Sequence, residues 1–284
     1  MLNILTFDIE DWFHLLDHKQ TENPSYWKNY PSRVVGNTKR ILDMLDKRNQ
    51  KATFFCLGWV AEQHPSLVRD ILSRGYELGS HSYCHQLAYK QSRRDFHDDL
   101  YRSISVLENI SGSKIKAYRA PGFSVTQENP WVFEELIEIG ITHDCSVFPA
   151  RRSHGGFKGL PAEPFLLNSN GGSIKCFPMN KFNLLGVDVV FSGGGYFRLL
   201  SYQIIRQMML RSDYVMTYFH PRDFDDEQPI IPGLSIARKF KSYVGLNGSL
   251  KKLERLVDEF EFGSLMTSDD IFEQGKVQNV RVGD

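Results

Sequence analysis

The chain has 284 residues, with 34 Lys plus Arg balanced by 34 Asp plus Glu and an apolar fraction of 41%. This balance excludes the overall positive field that would attract nucleic acid or an anionic membrane to the whole molecule. The length and the apolar fraction fit one large domain with a substantial core. The sequence contains no run near the ~18 apolar residues that a membrane-spanning helix needs.

The cysteines and the N-terminal residues predict a cytoplasmic protein. The four cysteines are widely spaced and form no Cys-x-x-Cys motif, which indicates reduced thiols rather than a disulfide framework. The first residues, MLNILTFDIED, reach acidic side chains after seven positions and lack the basic start and apolar stretch of a secretory signal. We therefore expect a cytoplasmic location, with a peripheral association with the inner membrane left open.

The first 145 residues alternate short apolar runs, typical of buried strands, with segments whose apolar residues recur at helical spacing. In chain order the predicted elements are strand 2–7, helix 34–45, strand 52–57, helix 60–72, strand 76–79, helix 92–110, strand 115–118, helix 130–139 and strand 141–147. Such alternation predicts parallel strands with helices outside them. A barrel fits this pattern, and one sequence does not distinguish it from an open sheet.

The second half of the chain has a weaker pattern. Paired glycines and several prolines predict an insertion of loops and short strands over 151–192. A strong strand follows at 214–219, and an amphipathic helix at 249–260. We expect a single domain over 1–284, with its core at 2–222 and a C-terminal extension at 223–284.

Polar residues follow several of the predicted strands, and the most informative are two histidines four positions apart. His81 and His85 lie in GSHSYCHQ, and Asp8, Glu10 and Asp11 close the first strand. Two imidazoles and one carboxylate form a metal set that leaves a coordination position open for water, and a spare carboxylate could act as general base. The alternatives are surface histidines and acids that cap the next segment or form ion pairs.

Three further residues stand at predicted strand ends. Arg119 in YRAPGFS could form a forked hydrogen bond with a carboxylate and orient the base. His220 in YFHPRDF becomes a candidate general acid there, and Asp144 could hold its ring in the required tautomer. A surface arginine in an ordinary turn, and a structural histidine, are the competing interpretations.

Four residues are candidates for contacts with a substrate. The Pro-Gly turn after Arg119 could point a backbone N–H near Gly122 and Phe123 at a developing oxyanion. His14 lies close in sequence to the acidic cluster and could touch a substrate. Tyr196 follows three glycines in SGGGYFRLL and offers a face for stacking on a sugar, although a flexible hairpin explains this segment equally well.

Taken in order, TFDIED, HSYCH, RAPGFS, HDCSVFP and YFHP resemble the motifs of carbohydrate esterase family 4, the polysaccharide deacetylases. The resemblance covers about residues 2 to 222. It implies a distorted (β/α) barrel with about seven parallel strands, a divalent metal, most commonly Zn²⁺, and hydrolysis of N-acetyl groups on amino sugars. The segments DIEDWFH, SGGGYFRLL and YVGLNGSLKKLERLV are similar to a bacterial subgroup linked to exopolysaccharide or O-antigen synthesis. The expected substrate is a nucleotide-linked, lipid-linked or oligomeric N-acetyl sugar.

The acidic motif departs from the Asp-Asp-Gly pattern of many family members. Because Asp8 and Glu10 share a strand face, we expect Asp8 to be the base and Glu10 the metal ligand with His81 and His85; Asp11 is the rival ligand. Some relatives with a spaced acidic motif open cyclic amides instead. A cyclic amidase, a metal-independent glycosidase and a carbohydrate-binding pseudoenzyme are therefore the alternatives to a metal-dependent N-deacetylase. The sequence leaves the oligomeric state open.

Overall fold

The computed structural model describes residues 1–150, 154–184, 187–275 and 277–282. The strands are β1 Leu2–Ile4, β2 Thr6–Ile9, β3 Thr53–Cys56, β4 Glu77–Ser80, β5 Ala117–Tyr118, β6 His143–Asp144, β7 Phe165–Ser169, β8 Gly172–Cys176, β9 Phe182–Leu184, β10 Val187–Val189, β11 Tyr214–Met216 and β12 Gln278–Arg281. The helices are α1 Val34–Asp46, α2 Gly58–Gln63, α3 Pro65–Ser73, α4 Arg93–Ser111, α5 Trp131–Ile139, α6 Gly194–Leu199, α7 Tyr202–Leu210, α8 Ile236–Tyr243, α9 Ser249–Glu259 and α10 Asp270–Glu273. Among the described helices, none is both long and apolar enough to cross a membrane.

The α/β class and the mostly parallel central sheet are confirmed, but the described strands do not close into a seven-stranded barrel. The main sheet has eight strands in the order β12-β7-β8-β6-β5-β4-β3-β2 and stays open. Neighbouring strands are parallel except β7 and β8, which form an antiparallel pair within the expected insertion. The first residue of that insertion, Arg151, lies outside the described residues.

The open edge has a local cause in the first predicted strand. That strand is divided at Leu5, so β2 pairs with β3 whereas β1 pairs with β11 in a separate two-stranded sheet. One isolated bridge, Phe7 to Phe219, links β2 to the chain after β11. Strand β11 therefore lies beside the main sheet without a continuous ladder.

The helix predicted at 60–72 is also divided, into α2 and α3. Pro65 stands at the first position of α3, where its missing N–H removes no helical hydrogen bond. Helix α4 is capped by Ser92, whose hydroxyl accepts the Asp95 N–H, and it is followed by Gly112 in the left-handed conformation. Both boundaries follow from local residue chemistry.

The parallel register aligns five strand ends at one edge of the sheet. Ile9 pairs with Cys56, Cys56 with Ser80, Ser80 with Tyr118, and Tyr118 with Asp144. The residues that follow these ends therefore emerge side by side at the carboxyl edge, where α/β proteins place their chemistry.

Candidate active site

A cavity of about 520 Å³ lies at this edge. Both halves of the chain contribute to its lining, which includes Asp8, Glu10, His14, His81, His85, Gly122, Phe123, Arg198, His220, Arg222, Asp223, Arg238 and Lys241.

Glu10, His81 and His85 form the tightest polar cluster in the cavity. The Oε1 atom of Glu10 lies 2.9 Å from Nε2 of His81 and 2.8 Å from Nε2 of His85. The three side chains are buried, and their potential ligand atoms lie within 4.8 Å of one another. Burial alone would raise the pKa of Glu10, but His85 and His220 outweigh it and hold that pKa well below its usual value. Glu10 is therefore an anion in this cluster.

The hydrogen bonds of His81 fit a bound cation. Its Nδ1 lies 2.8 Å from the carbonyl oxygen of Arg119. Because a carbonyl only accepts, Nδ1 carries a proton, and in the neutral form of the ring the lone pair of Nε2 points toward Glu10. Two such acceptors at this distance repel unless a proton or a metal ion lies between them. Two imidazole nitrogens and one carboxylate oxygen suit zinc and other divalent metals.

The His81–His85 segment is a loop rather than a helical turn. Ser82 and His85 have φ of 66° and 53°, a conformation uncommon outside glycine. Asp99 on α4 holds the loop, since its carboxylate accepts the backbone N–H groups of Tyr83 and Cys84, each at 2.8 Å. This backbone path brings both imidazoles to Glu10.

The structure places the Asp11 carboxylate outside this cluster. It accepts hydrogen bonds from the Ser32 hydroxyl at 2.5 Å and from the backbone N–H groups of Trp12, Arg33 and Val34 at 2.9 to 3.3 Å. Arg33 precedes α1 and has no side-chain cap of its own. Asp11 thus supplies the acceptor at the start of this helix, which is one of the alternatives that the sequence left open.

Asp8 and Arg119 form a buried ion pair. Nη1 of Arg119 donates to Oδ1 of Asp8 at 2.7 Å and to the Thr6 hydroxyl at 2.8 Å. The guanidinium is fully buried and lies over the Phe55 ring. One oxygen of Asp8 is fixed in this way, and the other, Oδ2, faces His220 at 3.9 Å.

His220 is paired with Asp223, a residue that the sequence analysis did not select. Its Nδ1 lies 3.0 Å from Oδ2 of Asp223, whose other oxygen lies 3.2 Å from Nε of Arg198. Burial alone would lower the pKa of His220, but Glu10, Asp223 and Asp8 raise it to about 9. Burial opposes ionisation of Asp223 as well, yet Arg198 and His220 lower the pKa of Asp223 to about 2. The pair is therefore an imidazolium and a carboxylate near neutral pH.

Nε2 of His220 lies 3.8 Å from Glu10, so Asp8, Glu10 and His220 form a second group with metal-ligand spacing. Asp8 is already held by Arg119, and His220 carries a proton on each ring nitrogen near neutral pH. Of the two groups, Glu10, His81 and His85 are therefore better suited to hold a cation.

The expected partnership of His220 with Asp144 is not found. Oδ2 of Asp144 accepts the backbone N–H of Ser146 at 3.0 Å, and Oδ1 has no hydrogen-bond partner among the described residues. Asp144 is fully buried, and this burial raises its pKa to about 6. It ends β6 in the aligned row, whereas His220 comes from the chain after β11, which lies outside that row.

His14 lines the cavity as a neutral imidazole. Its Nδ1 accepts the backbone N–H of Asp11 at 3.0 Å, so the ring proton is on Nε2, which is buried without a hydrogen-bond partner in the described chain. Burial and the nearby His85 hold the pKa of His14 well below its usual value. The ring packs edge-on against Trp27 and Trp59.

Of the remaining residues predicted to contact a substrate, two line the cavity and one does not. Gly122 and Phe123 line the cavity, but the Phe123 N–H donates to the Ala120 carbonyl at 3.0 Å within the turn. Gly122 has φ of 63°, and a β-carbon there would collide with the side chains of Leu16 and Leu87. Tyr196 is half-exposed on α6 and is not among the described residues that line the cavity.

Sequence reasoning missed Asp223 and Arg198. A local signal for Asp223 existed, because proline follows His220 and an acid stands three positions after it, which is the spacing of a capping box. Arg198 comes from a distant helix, and its role in the site has no local sequence signal.

Comparison with known proteins agrees with this fold and divides the chain in two. Residues 5–136 match the family described as polysaccharide deacetylase. Residues 145–269 match a family described as a domain of unknown function, DUF3473.

Curated relatives match only part of this chain. A peptidoglycan-N-acetylglucosamine deacetylase from Bacillus cereus is 32% identical over 103 residues, which are 36% of this chain and 38% of that protein. The peptidoglycan-N-acetylmuramic acid deacetylase PdaC from Bacillus subtilis is 32% identical over 91 residues, 32% of this chain and 20% of that protein. The matched region thus spans well under half of each enzyme.

Solved structures match almost the whole chain at low identity and support the fold. A protein from Mycobacterium smegmatis assigned to the polysaccharide deacetylases has a TM-score of 0.67 and 19% identity, covering 100% of this chain and 93% of that one. PdaC from B. subtilis has a TM-score of 0.51 and 15% identity, with coverage of 97% and 93%. A pseudoenzyme of carbohydrate esterase family 4 from Bacillus anthracis has a TM-score of 0.50 and 14% identity, with coverage of 99% and 69%.

The aligned strand ends, the polar cluster at the carboxyl edge and the match over residues 5–136 agree in one respect. This part of the chain is similar to the polysaccharide deacetylase family.

Proposed function

We propose that the protein is a metal-dependent N-deacetylase that hydrolyses the acetamido group of an amino sugar in a bacterial surface polysaccharide or its precursor. One observation carries this proposal. A cation-binding set, an arginine-held carboxylate and a protonated histidine surround one cavity in the part of the chain that the structure describes.

Glu10, His81 and His85 would hold the metal. A divalent ion bound there would polarise the acetyl carbonyl and lower the pKa of a water molecule. Zinc is the ion we expect, because the donor atoms are two imidazole nitrogens and one carboxylate oxygen.

Asp8 is the proposed general base. Arg119 fixes its Oδ1, which leaves Oδ2 toward the cavity to accept the proton of the attacking water. The burial of Arg119 keeps the carboxylate in one orientation without contact between the arginine and the substrate. In this proposal Arg119 is a positioning residue.

His220 is the proposed general acid. Asp223 accepts from Nδ1 of the imidazolium, and the proton on Nε2 faces the groups that surround the reaction. As water adds to the carbonyl carbon and the C–N bond breaks, this proton would pass to the leaving nitrogen. Acetate and a free amino sugar are the products.

Two cavity residues are proposed to contact the substrate. The Nε2–H of His14 is a buried donor without a protein partner in the described chain, so a sugar hydroxyl or the acetyl oxygen would satisfy it. Gly122 also lines the cavity and would contact the substrate through its backbone.

Acetate release tests the proposal directly. Protein loaded with zinc would be incubated with nucleotide-linked, lipid-linked and polymeric N-acetyl sugars, with Asp8→Asn as the matched inactive control. We expect acetate and a free amine from at least one class of sugar. Binding without turnover in metal-loaded protein would contradict the proposal, as would a ring-opened product without acetate.

A further inference from the structure

The region around α8 differs in charge from the rest of the chain. Lysine and arginine equal aspartate and glutamate over the whole sequence. Residues 228–253, however, contain five basic residues and no acidic one; the basic residues are Arg238, Lys239, Lys241, Lys251 and Lys252. The overall neutrality of the protein therefore conceals a local cationic segment.

Helix α8 presents two different faces. Ala237, Arg238 and Lys241 line the active-site cavity. Ile236 and Phe240, one helical turn apart, are 91% and 57% exposed, and Lys239 beside them is also exposed. The helix thus presents apolar and basic side chains to solvent at the rim of the cavity, and none of its residues is buried.

Helix α6 extends this exposed surface. Tyr196 and Leu199, three positions apart, are both more than half-exposed. Arg198 joins the two helices, because its guanidinium donates to the carbonyl oxygens of Lys241 at 3.0 Å and Ser242 at 2.9 Å. We call Tyr196, Leu199, Ile236, Lys239 and Phe240 the rim surface.

We propose that the rim surface docks on a bilayer that contains anionic phospholipid. Apolar side chains flanked by lysine and arginine are the composition of helices that lie in a membrane interface. The apolar residues would enter the boundary of the acyl chains, while Lys239 contacts the anionic headgroups.

The charge of the segment disfavours a second copy of this chain as the occupant. A symmetric dimer would place the same patch against itself. Lys239 of one copy would then lie near the same cation of the other copy, with no acid in residues 228–253 to compensate. An anionic lipid surface carries the complementary charge.

Docking through this surface would bring the cavity to the membrane. Helices α6 and α8 contribute both to the rim surface and to the cavity lining. The sugar of a lipid-anchored substrate could then enter from the bilayer side. The docking itself is independent of the proposed reaction and is measured without turnover.

Vesicle flotation with the full chain tests the docking. The vesicles would contain phosphatidylcholine alone or with about 30 mol% phosphatidylglycerol, a composition that gives a negative surface potential. We expect binding only to the anionic vesicles, weakened by raising salt to about 0.5 M, because salt screens the headgroup charge. Absence of binding at low salt would overturn the proposal.

Two variants examine the rim surface, each with a matched control elsewhere. The double change Ile236→Ser and Phe240→Ser should weaken binding by at least about tenfold, since it removes the apolar contacts. Lys239→Gln should weaken it by about fivefold. The controls are Tyr101→Ser on α4 and Lys39→Gln on α1, whose side chains are also exposed, and we expect them to bind like the unaltered protein. Unchanged binding by the double variant, with an unchanged thermal melt, would overturn the assignment.

Two further measurements separate the outcomes. Acetate release from a soluble N-acetyl sugar should be the same in the double variant as in the unaltered protein, because neither Ile236 nor Phe240 is among the described residues that line the cavity. This measurement therefore distinguishes a failure of docking from a failure of the reaction. Analytical ultracentrifugation would reveal a dimer. The unaltered protein could instead form a dimer that the double variant does not form, and fail to bind anionic vesicles. That result would show that the rim surface contacts a second copy of the chain, and it would overturn the proposal.

Discussion

The two walls of the cavity are built in different ways. The first wall, formed by Asp8, Glu10, His81 and His85, follows β2 and β4, which lie in register in one parallel sheet. The second wall, formed by Arg198, His220 and Asp223, comes from α6 and from the turn after β11, outside the main ladder. Strand register places Glu10 and His81 side by side, and a loop held by Asp99 adds His85. The second set is held by pairings between side chains instead.

The largest effect is expected on the first wall, where loss of a ligand should remove the metal. His81→Ala and Glu10→Ala should each lower zinc affinity by more than about 100-fold, because even residues behind a ligand are worth about 10- to 100-fold. Turnover should be lost in both variants. Zinc titration by calorimetry, with acetate release, measures both effects.

Asp11→Ala is the matched control for Glu10→Ala. It should keep the zinc affinity and lose about 1 kcal/mol of unfolding free energy, because it removes the acceptor at the start of α1. Urea unfolding measures this loss. If Asp11→Ala lost the metal and Glu10→Ala kept it, Asp11 would be the ligand instead.

The difference between the two walls also explains which parts of the fold and the site could be predicted from the sequence. Apolar runs and their spacing predicted β2, β4 and β5, so Glu10, His81 and Arg119 could be expected at one edge. The open sheet could not be predicted, because it depends on the division at Leu5 and on the antiparallel pair β7–β8.

The partner of His220 could not be chosen by the same reasoning. Asp144 stands at a strand end, as a register argument requires, but His220 takes the acid three positions later in its own turn. Similarly, Tyr196 follows a glycine-rich segment that suggested a sugar contact, yet its helix turns that side chain to the exposed rim surface. Contacts between loops depend on backbone paths that periodicity does not encode.

The second-largest effect should come from the proton donor of the second wall. His220→Ala should reduce kcat by roughly 10²–10⁴-fold, the usual contribution of a positioned acid, and should leave zinc bound. Because His220 must be protonated to act, and Asp223 and Asp8 raise its pKa in addition to Glu10, activity should decline on the alkaline side as His220 loses its proton. This decline forms the alkaline limb of the pH profile, and it is measured from the pH dependence of kcat.

Asp223→Asn and Asp144→Asn distinguish the two candidate partners of His220. Loss of the Asp223 charge should move the alkaline limb to lower pH, since that carboxylate helps to raise the pKa of His220. Asp144→Asn should leave the limb in place. The opposite result would restore Asp144 as the partner.

A smaller effect is expected on stability, from the unpaired acid in the row of strand ends. Burial raises the pKa of Asp144 to about 6 from an ordinary value of 3.8, so the folded protein binds its proton more tightly than the unfolded chain does. The stabilisation is therefore complete below the unfolded pKa and is lost as pH rises through about 6, by roughly 3 kcal/mol in total. Urea unfolding should show that the stability of the original protein, relative to Asp144→Asn, declines between these pH values. Asp98→Asn removes an exposed acid on α4 and should show no such pH-dependent difference. A pH-independent difference between the original protein and Asp144→Asn would contradict the assignment.

The smallest effect is expected at His14, which belongs to neither wall by its hydrogen bonds. His14 lines the cavity, and its buried Nε2–H has no hydrogen-bond partner in the described chain, so we expect bound substrate to accept from it. His14→Phe keeps an aromatic ring against Trp27 and Trp59 and removes this donor, together with the acceptor for the Asp11 N–H. A neutral hydrogen bond is worth about 0.5–1.5 kcal/mol, so kcat/KM should fall roughly 2- to 12-fold, with zinc affinity and the alkaline limb unchanged.

The matched control is Tyr196→Phe. It should leave kcat/KM for a soluble sugar unchanged, because the Tyr196 side chain lies outside the described cavity lining. An unaltered kcat/KM in well-folded His14→Phe would show that substrate does not use this donor, and a change confined to Tyr196 would return the sugar contact to the segment that the sequence first suggested.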